Sequence, residues 1–323
     1  MLPALFRGLD FPRGPRLAWK VQEDTAPVKS KGVDTEGTAR GLNSEENEEG
    51  IMCVPAALEM FRSLHSSPDS LRWIGMGFAA VAGRSPTTRT VRPLRVSHVV
   101  DLTQILTPDF PSWPGYPSFE ILNTHNIAQH GFFANAWHVH EHSGTHVDAP
   151  LHFSGKGWST AEIPEEALIA PTVIINICAR ARRDPDAQVR VDDVKAWERK
   201  HGRVPRGAAV LMWSGWEDKA GDQAAYRNMD SRGVMHFPGF SGEAAEFLVN
   251  ERAAGGIGVD TLSLDTGASS DFAAHLAVLP ANRWGIENLA NLGKLPPKGA
   301  TLFVGLPRVK GASGGPARVL AVW

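Results

Sequence analysis

The stretch Glu141 to Phe153, EHSGTHVDAPLHF, places His142, His146, Asp148 and His152 within eleven residues, with Gly144 and Pro150 between them. Residues 138, 140, 142, 146, 148 and 152 share parity, so a straight strand would turn all of them to one side. At about 3.3 Å per residue it would also hold His142 and His146 roughly 13 Å apart, too far to meet on one ion. A helix would bring positions four apart together, but Gly144, the branched Thr145 and Val147, and Pro150 all disfavour one. The stretch is therefore expected to be an extended arm that folds sharply at Ser143-Gly144-Thr145. The glycine supplies the freedom for the bend, and His142 returns toward His146 and Asp148.

Two or three imidazoles with a carboxylate suit Zn²⁺ or Mn²⁺, and a carboxylate can bridge two ions where an imidazole cannot. Asp148 is the bridging candidate. His138 and His140, just upstream, read as ordinary structural histidines. Trp113, Trp137 and Trp158 flank the motif and read equally well as walls of an aromatic pocket or as core.

Outward from the motif, short runs of branched and aromatic residues alternate with helical patterns. Val96 to Leu106, Ser118 to Ile127, Phe132 to His142 and Pro171 to Ala179 read as strands, as do Ala208 to Gly215, Gly256 to Asp265, Thr301 to Val309 and Ala317 to Trp323. VDDVKAWERKHG and SGEAAEFLVNERAAGG read as helices ending at glycine, the second with Ser241 as its N-cap. The pattern is that of an α/β domain with a mixed sheet over residues 92–323, without internal repeats.

Residues 1–91 have a different texture. To about Gly50 they are polar and glycine-rich, a composition that buries too little surface to offset ordering entropy. The apolar run Trp73 to Gly83 is too short to span a bilayer. It has the length of a signal-peptide core but lies far from Met1. The region reads as a disordered tail, with an export signal from an internal start at Met52, or a partner-binding helix, as alternatives; the chain otherwise reads as cytoplasmic.

With 323 residues, 42% of them hydrophobic, the chain can bury a sizeable core. A formal charge of -2 with scattered Lys and Arg excludes the basic surface that nucleic acid would need. Cys53 and Cys178 form no CxxC pair, and Cys178 reads as buried and inert.

HSGTHVDAPLH resembles the HxGTHxDxPxH signature of the metal-dependent cyclase family, whose members include bacterial kynurenine formamidases and isatin hydrolases. The similarity extends through Val96 to Trp323 and takes in DLTQILTPDFPSWPGYPSF, HFPGFSGEAAEFL and GIGVDTLSLD. It implies a swivelling β/β/α fold holding one or two Zn²⁺ or Mn²⁺ ions, and a homodimer or homotetramer. His142, His146 and Asp148 would hold the first ion. Asp148 with His275 and Glu287, from HLAVLPANRWGIENLANL, would hold the second, and His152 would be the catalytic acid/base. The implied reaction is hydrolysis of an aryl formamide such as N-formylkynurenine, with isatin or another cyclic amide or ester as the alternative. A non-catalytic metal-binding protein is the reading of another class. A metal site that only stabilises an interaction protein would more commonly be closed and cysteine-rich.

Overall fold

The computed structural model describes residues 96–323 apart from 117 and 118. The readings of residues 1–91, Cys53 among them, and the boundary before residue 92 lie outside the described residues. In chain order the strands are Val99–Asp101 (β1), Glu120–His125 (β2), Ala134–His138 (β3), His146–Asp148 (β4), Ile169–Asn176 (β5), Gln188–Val189 (β6), Ala209–Trp213 (β7), Gly239–Phe240 (β8), Gly256–Val259 (β9), Trp284–Glu287 (β10), Lys298–Gly305 (β11), Gly314–Pro316 (β12) and Arg318–Val322 (β13). Three helices shape the core and the site: Val191–His201 (α1), Gly242–Asn250 (α2) and Ala273–Val278 (α3).

Nine strands form one mixed sheet in the order β1-β13-β11-β5-β7-β9-β10-β4-β12. Its centre, β5-β7-β9-β10, is parallel, and the strands on both flanks pair antiparallel. The alternation of β5 and β7 sorts their side chains onto two faces. Val173, Ile175, Val210 and Met212 meet Trp197 of α1, Leu248 of α2 and Ala274 and Val278 of α3. Ile174, Ala209 and Leu211 point the other way, into a cluster shared with Val147, Ile286, Leu302 and Val319. That second cluster draws on strands from both ends of the sheet, so the sheet curls around it. The expected α/β architecture with a mixed sheet is present.

Some elements are shorter than their sequence patterns. The strand expected over Gly256 to Asp265 stops at Val259 because the Asp260 carboxylate accepts from Ser214 N and Oγ and from the Gly215 and Trp216 amides. This side-chain network replaces the ladder there. α1 ends at Gly202, whose φ of 89° suits glycine. α2 begins as expected, with Ser241 Oγ accepting from Ala244 N, but stops at Asn250 instead of continuing to glycine. Ala253 O and Gly255 N beyond it pair with Gly207 N and Ala208 O at the entrance to β7. Cys178 is buried and, among the described residues, free, and burial pushes its thiol up to about 11, which leaves it unreactive. No helix among the described residues is long and apolar enough to cross a membrane.

Candidate metal centre

The expected bend is present. Strand β3 ends at His138, earlier than its pattern, and Glu141 to Thr145 turn back before β4 begins. Gly144 sits at φ 61°, and a Cβ there would come within 3.0 Å of the Leu106 side chain. Thr145 Oγ1 donates to Asn288 O at 2.6 Å, and Asn288 Nδ2 donates to Gly144 O at 2.9 Å, fastening the turn to the residue after β10. His142 Nδ1 comes to 2.7 Å from Asp148 Oδ1. His138 is exposed beside Glu120, and His140 stacks on Tyr116 while its Nδ1 accepts the His142 amide. Neither belongs to the donor groups described below.

Sheet register delivers the next group. β4 lies between β10 and β12, and the antiparallel pairing sets Glu287 directly opposite His146. His275 arrives on the first turn of α3. Asp265 caps that turn through the Ala274 amide and holds His275 Nδ1 at 2.6 Å, leaving Nε2 to face Glu287 Oε1 at 3.3 Å and Asp148 Oδ2 at 3.5 Å. His146 is oriented likewise: its Nδ1 donates to Gly144 O at 2.9 Å, so Nε2 faces Asp148 Oδ1 and Glu287 Oε2, each at 3.3 Å.

These side chains form two groups that share one carboxylate, His142 with His146 and Asp148, and Asp148 with His275 and Glu287. Within each, one donor atom per residue lies within 4.8 Å of the others. The donor set fits a metal ion on an independent count. Among the described residues, His146 Nε2 and Asp148 Oδ2 are buried without a hydrogen-bond partner, an expensive arrangement unless a cation completes it. Electrostatics agrees. Burial alone would lower His146, yet the contacts and charges of Asp148 and Glu287 prevail and raise it to about 10. Burial would raise Asp148, and the contacts with His142, His146 and His275 hold it well below the usual carboxylate range. The carboxylates stay charged and demand positive charge beside them.

His152 belongs to neither group. It ends the Pro150–His152 turn and stacks on His142 with ring centroids 3.9 Å apart. Burial lowers it to about 4, so it is a neutral base at pH 7. A small pocket of about 140 Å³ opens above these residues. Its walls include Pro111, Trp113, Tyr116, Phe153, Leu262 and Phe272. Of the three flanking tryptophans only Trp113 is among them, while Trp137 is 71% exposed and Trp158 packs against the second core cluster. Sequence reading missed Asp265, Asn288, Phe153 and Phe272. A search for a carboxylate partner behind each ligand histidine is the signal that points toward Asp265.

The family model described as "Putative cyclase" matches residues 100–266. The chain belongs to the cyclase family. An isatin hydrolase of Roseibium aggregatum is 36% identical over 241 residues, covering 69% of this chain and 91% of that protein. A kynurenine formamidase of Sphingopyxis alaskensis is 30% identical over 230 residues, covering 70% and 98%. The solved structure of isatin hydrolase A from Ralstonia solanacearum aligns at a TM-score of 0.66 and 37% identity, covering 70% of this chain and 91% of its own. Both named activities are hydrolytic, and this cyclase-family member is a hydrolase whose donor set fits a metal ion. His275 and Glu287 lie beyond the matched span of the family model.

Proposed function

We propose that the chain cleaves the C–N bond of an aromatic amide, with one or two Zn²⁺ or Mn²⁺ ions held by His142, His146 and Asp148 and by Asp148, His275 and Glu287. The observation that carries this reading is the convergence of five donors, four of them buried, from two distant segments beneath an aromatic-walled pocket, with a neutral imidazole at its edge. A divalent ion so held would lower the pKa of water toward about 7 and polarise a carbonyl oxygen. His152, kept unprotonated by burial, takes the proton that the attacking water loses. As the C–N bond breaks, the same imidazole returns that proton to the departing nitrogen. A non-catalytic metal protein would have no use for such a base beside the donors.

The aryl formamide N-formylkynurenine and the cyclic amide isatin both present a C–N bond on a benzene ring to these walls. The pocket supplies Trp113, Tyr116, Phe153 and Phe272 for that ring, and no lysine or arginine among the described residues lines it. Isatin, being uncharged, needs no such cation, whereas the carboxylate of N-formylkynurenine would find no lysine or arginine there to pair with. A hydrolysis screen of both, with simple lactones and metal content measured alongside, tests the reading. Turnover of at least one aromatic amide is expected, abolished by chelation and restored by metal. A fully metallated protein that hydrolyses none of them overturns it.

A homodimer or homotetramer is proposed as well. The β2–β3 hairpin exposes Ile121, Leu122, Phe132, Phe133 and Trp137, and a two-stranded ribbon is marginal in water without cover. Light scattering should give at least twice the chain mass, and a monomer at micromolar concentration would contradict it.

A further inference from the structure

Behind His142 lies a pair of residues that neither the motif nor the metal groups include. His142 has two ring nitrogens: Nδ1 faces Asp148 Oδ1 at 2.7 Å, and Nε2 lies 3.1 Å from Ser313 Oγ. The Ser313 hydroxyl donates to Glu141 Oε2 at 2.6 Å, and the Ser313 amide donates to the same oxygen at 2.9 Å. A hydroxyl has one proton, and here the Glu141 carboxylate takes it. The contact between Ser313 Oγ and His142 Nε2 therefore has the ring nitrogen as donor. Nε2 is thereby committed to Ser313, and Nδ1, which meets Asp148 Oδ1 through a hydrogen bond of 2.7 Å, is the ring nitrogen left to coordinate a metal.

We infer that Glu141, acting through Ser313, is a positioning residue that fixes the tautomer and ring orientation of His142 and so sets the affinity of the His142, His146 and Asp148 group for its metal. The inference rests on the metal-site reading above. The surrounding backbone is built to hold the relay still. Ser313 O accepts the Ala149 amide at 2.9 Å, and the next residues pair with β4 as strand β12, with Gly314 opposite Asp148. Gly314 also makes room for the ring, since a Cβ there would lie 2.6 Å from His142 Cε1. Glu141 precedes the ligand in sequence while Ser313 lies just before strand β12, 171 residues beyond the ligand, so the relay also ties the bend to the sheet edge.

The test compares the wild-type protein with Ser313→Ala, Glu141→Gln and the double variant, each stripped and titrated with Zn²⁺ against a chromophoric chelator. Thermal melts run alongside to register the fold. Ser313→Ala should weaken the tighter site by roughly 10- to 100-fold, the usual weight of a residue that orients a ligand histidine. Ser313→Thr, which keeps the hydroxyl, should recover most of it. The double variant should be no worse than Ser313→Ala, because Glu141 acts through the hydroxyl that is already gone. Folded single variants with wild-type affinity, or losses that multiply in the double variant, would overturn the inference alone. A wild-type protein that takes up no metal would overturn the metal-site reading and the inference with it.

Discussion

The two halves of the centre are built differently. His142, His146 and Asp148 come from seven consecutive residues, and their convergence needs little more than the bend at Gly144 and its fastening to Asn288. His275 and Glu287 come from a helix and a strand more than a hundred residues away and meet Asp148 only when β10 is in register with β4 and Asp265 caps α3. The near group is local and the far group tertiary. Affinity and robustness should follow that division, with Asp148 as the point where the two halves touch.

The largest effect should come from breaking that point. Asp148→Asn removes one donor from each group, and both ions should be lost together, with turnover falling to background. Elemental analysis that still finds one full equivalent in the variant would show that the halves do not share this carboxylate. His152→Ala comes next. It should keep the metal and lower amide turnover by roughly 10²- to 10⁴-fold. A phenyl ester should suffer less, since its leaving group needs little protonation. Loss of the metal in this variant would make His152 a ligand.

A finer cut separates the halves. Asp265→Asn should weaken the far ion by roughly 10- to 100-fold and leave the near ion in place, because it disturbs the start of α3 and the orientation of His275 and touches neither His142 nor His146. Equal weakening of both ions, followed by metal titration, would erase the distinction. The smallest effect concerns pH and the metal-free protein. His146 is raised from 6.5 to about 10, so the stability its proton contributes is fully present below 6.5 and lost as the pH rises toward 10. Asp148 is held low, so its contribution is present above 3.8 and lost in acid. The melting temperature of stripped protein should therefore decline between pH 6.5 and 10, and that of loaded protein should decline less. Parallel curves would contradict the assignment.

The near group was legible in the sequence because its geometry follows from period, spacing and breakers. Parity and the 13-Å objection to a straight strand left only a bent arm, and the bend occurs at the glycine. His275 and Glu287 were legible only through family resemblance, since nothing local to HLAVLPANRWGIENLANL tells which strand β10 will neighbour. Strand ends were overestimated where side chains outcompete the ladder, as the Asp260 carboxylate does with the amides of residues 214 to 216. Asp265, Asn288 and Ser313 were missed for a common reason. Asn288 and Ser313 act on residues more than a hundred positions away, and Asp265 reaches His275 only once the loop before α3 has folded back, so each role exists only in the assembled fold.

The most direct test of the account is a metal titration of chelator-stripped protein, reading equivalents bound, protons released and amide turnover in the same samples. Uptake of one to two equivalents of Zn²⁺ or Mn²⁺ per chain is expected, with release of protons held by His146 and His275 and return of hydrolysis as the sites fill. A protein that binds no transition metal and hydrolyses no more with metal than without it would contradict the account.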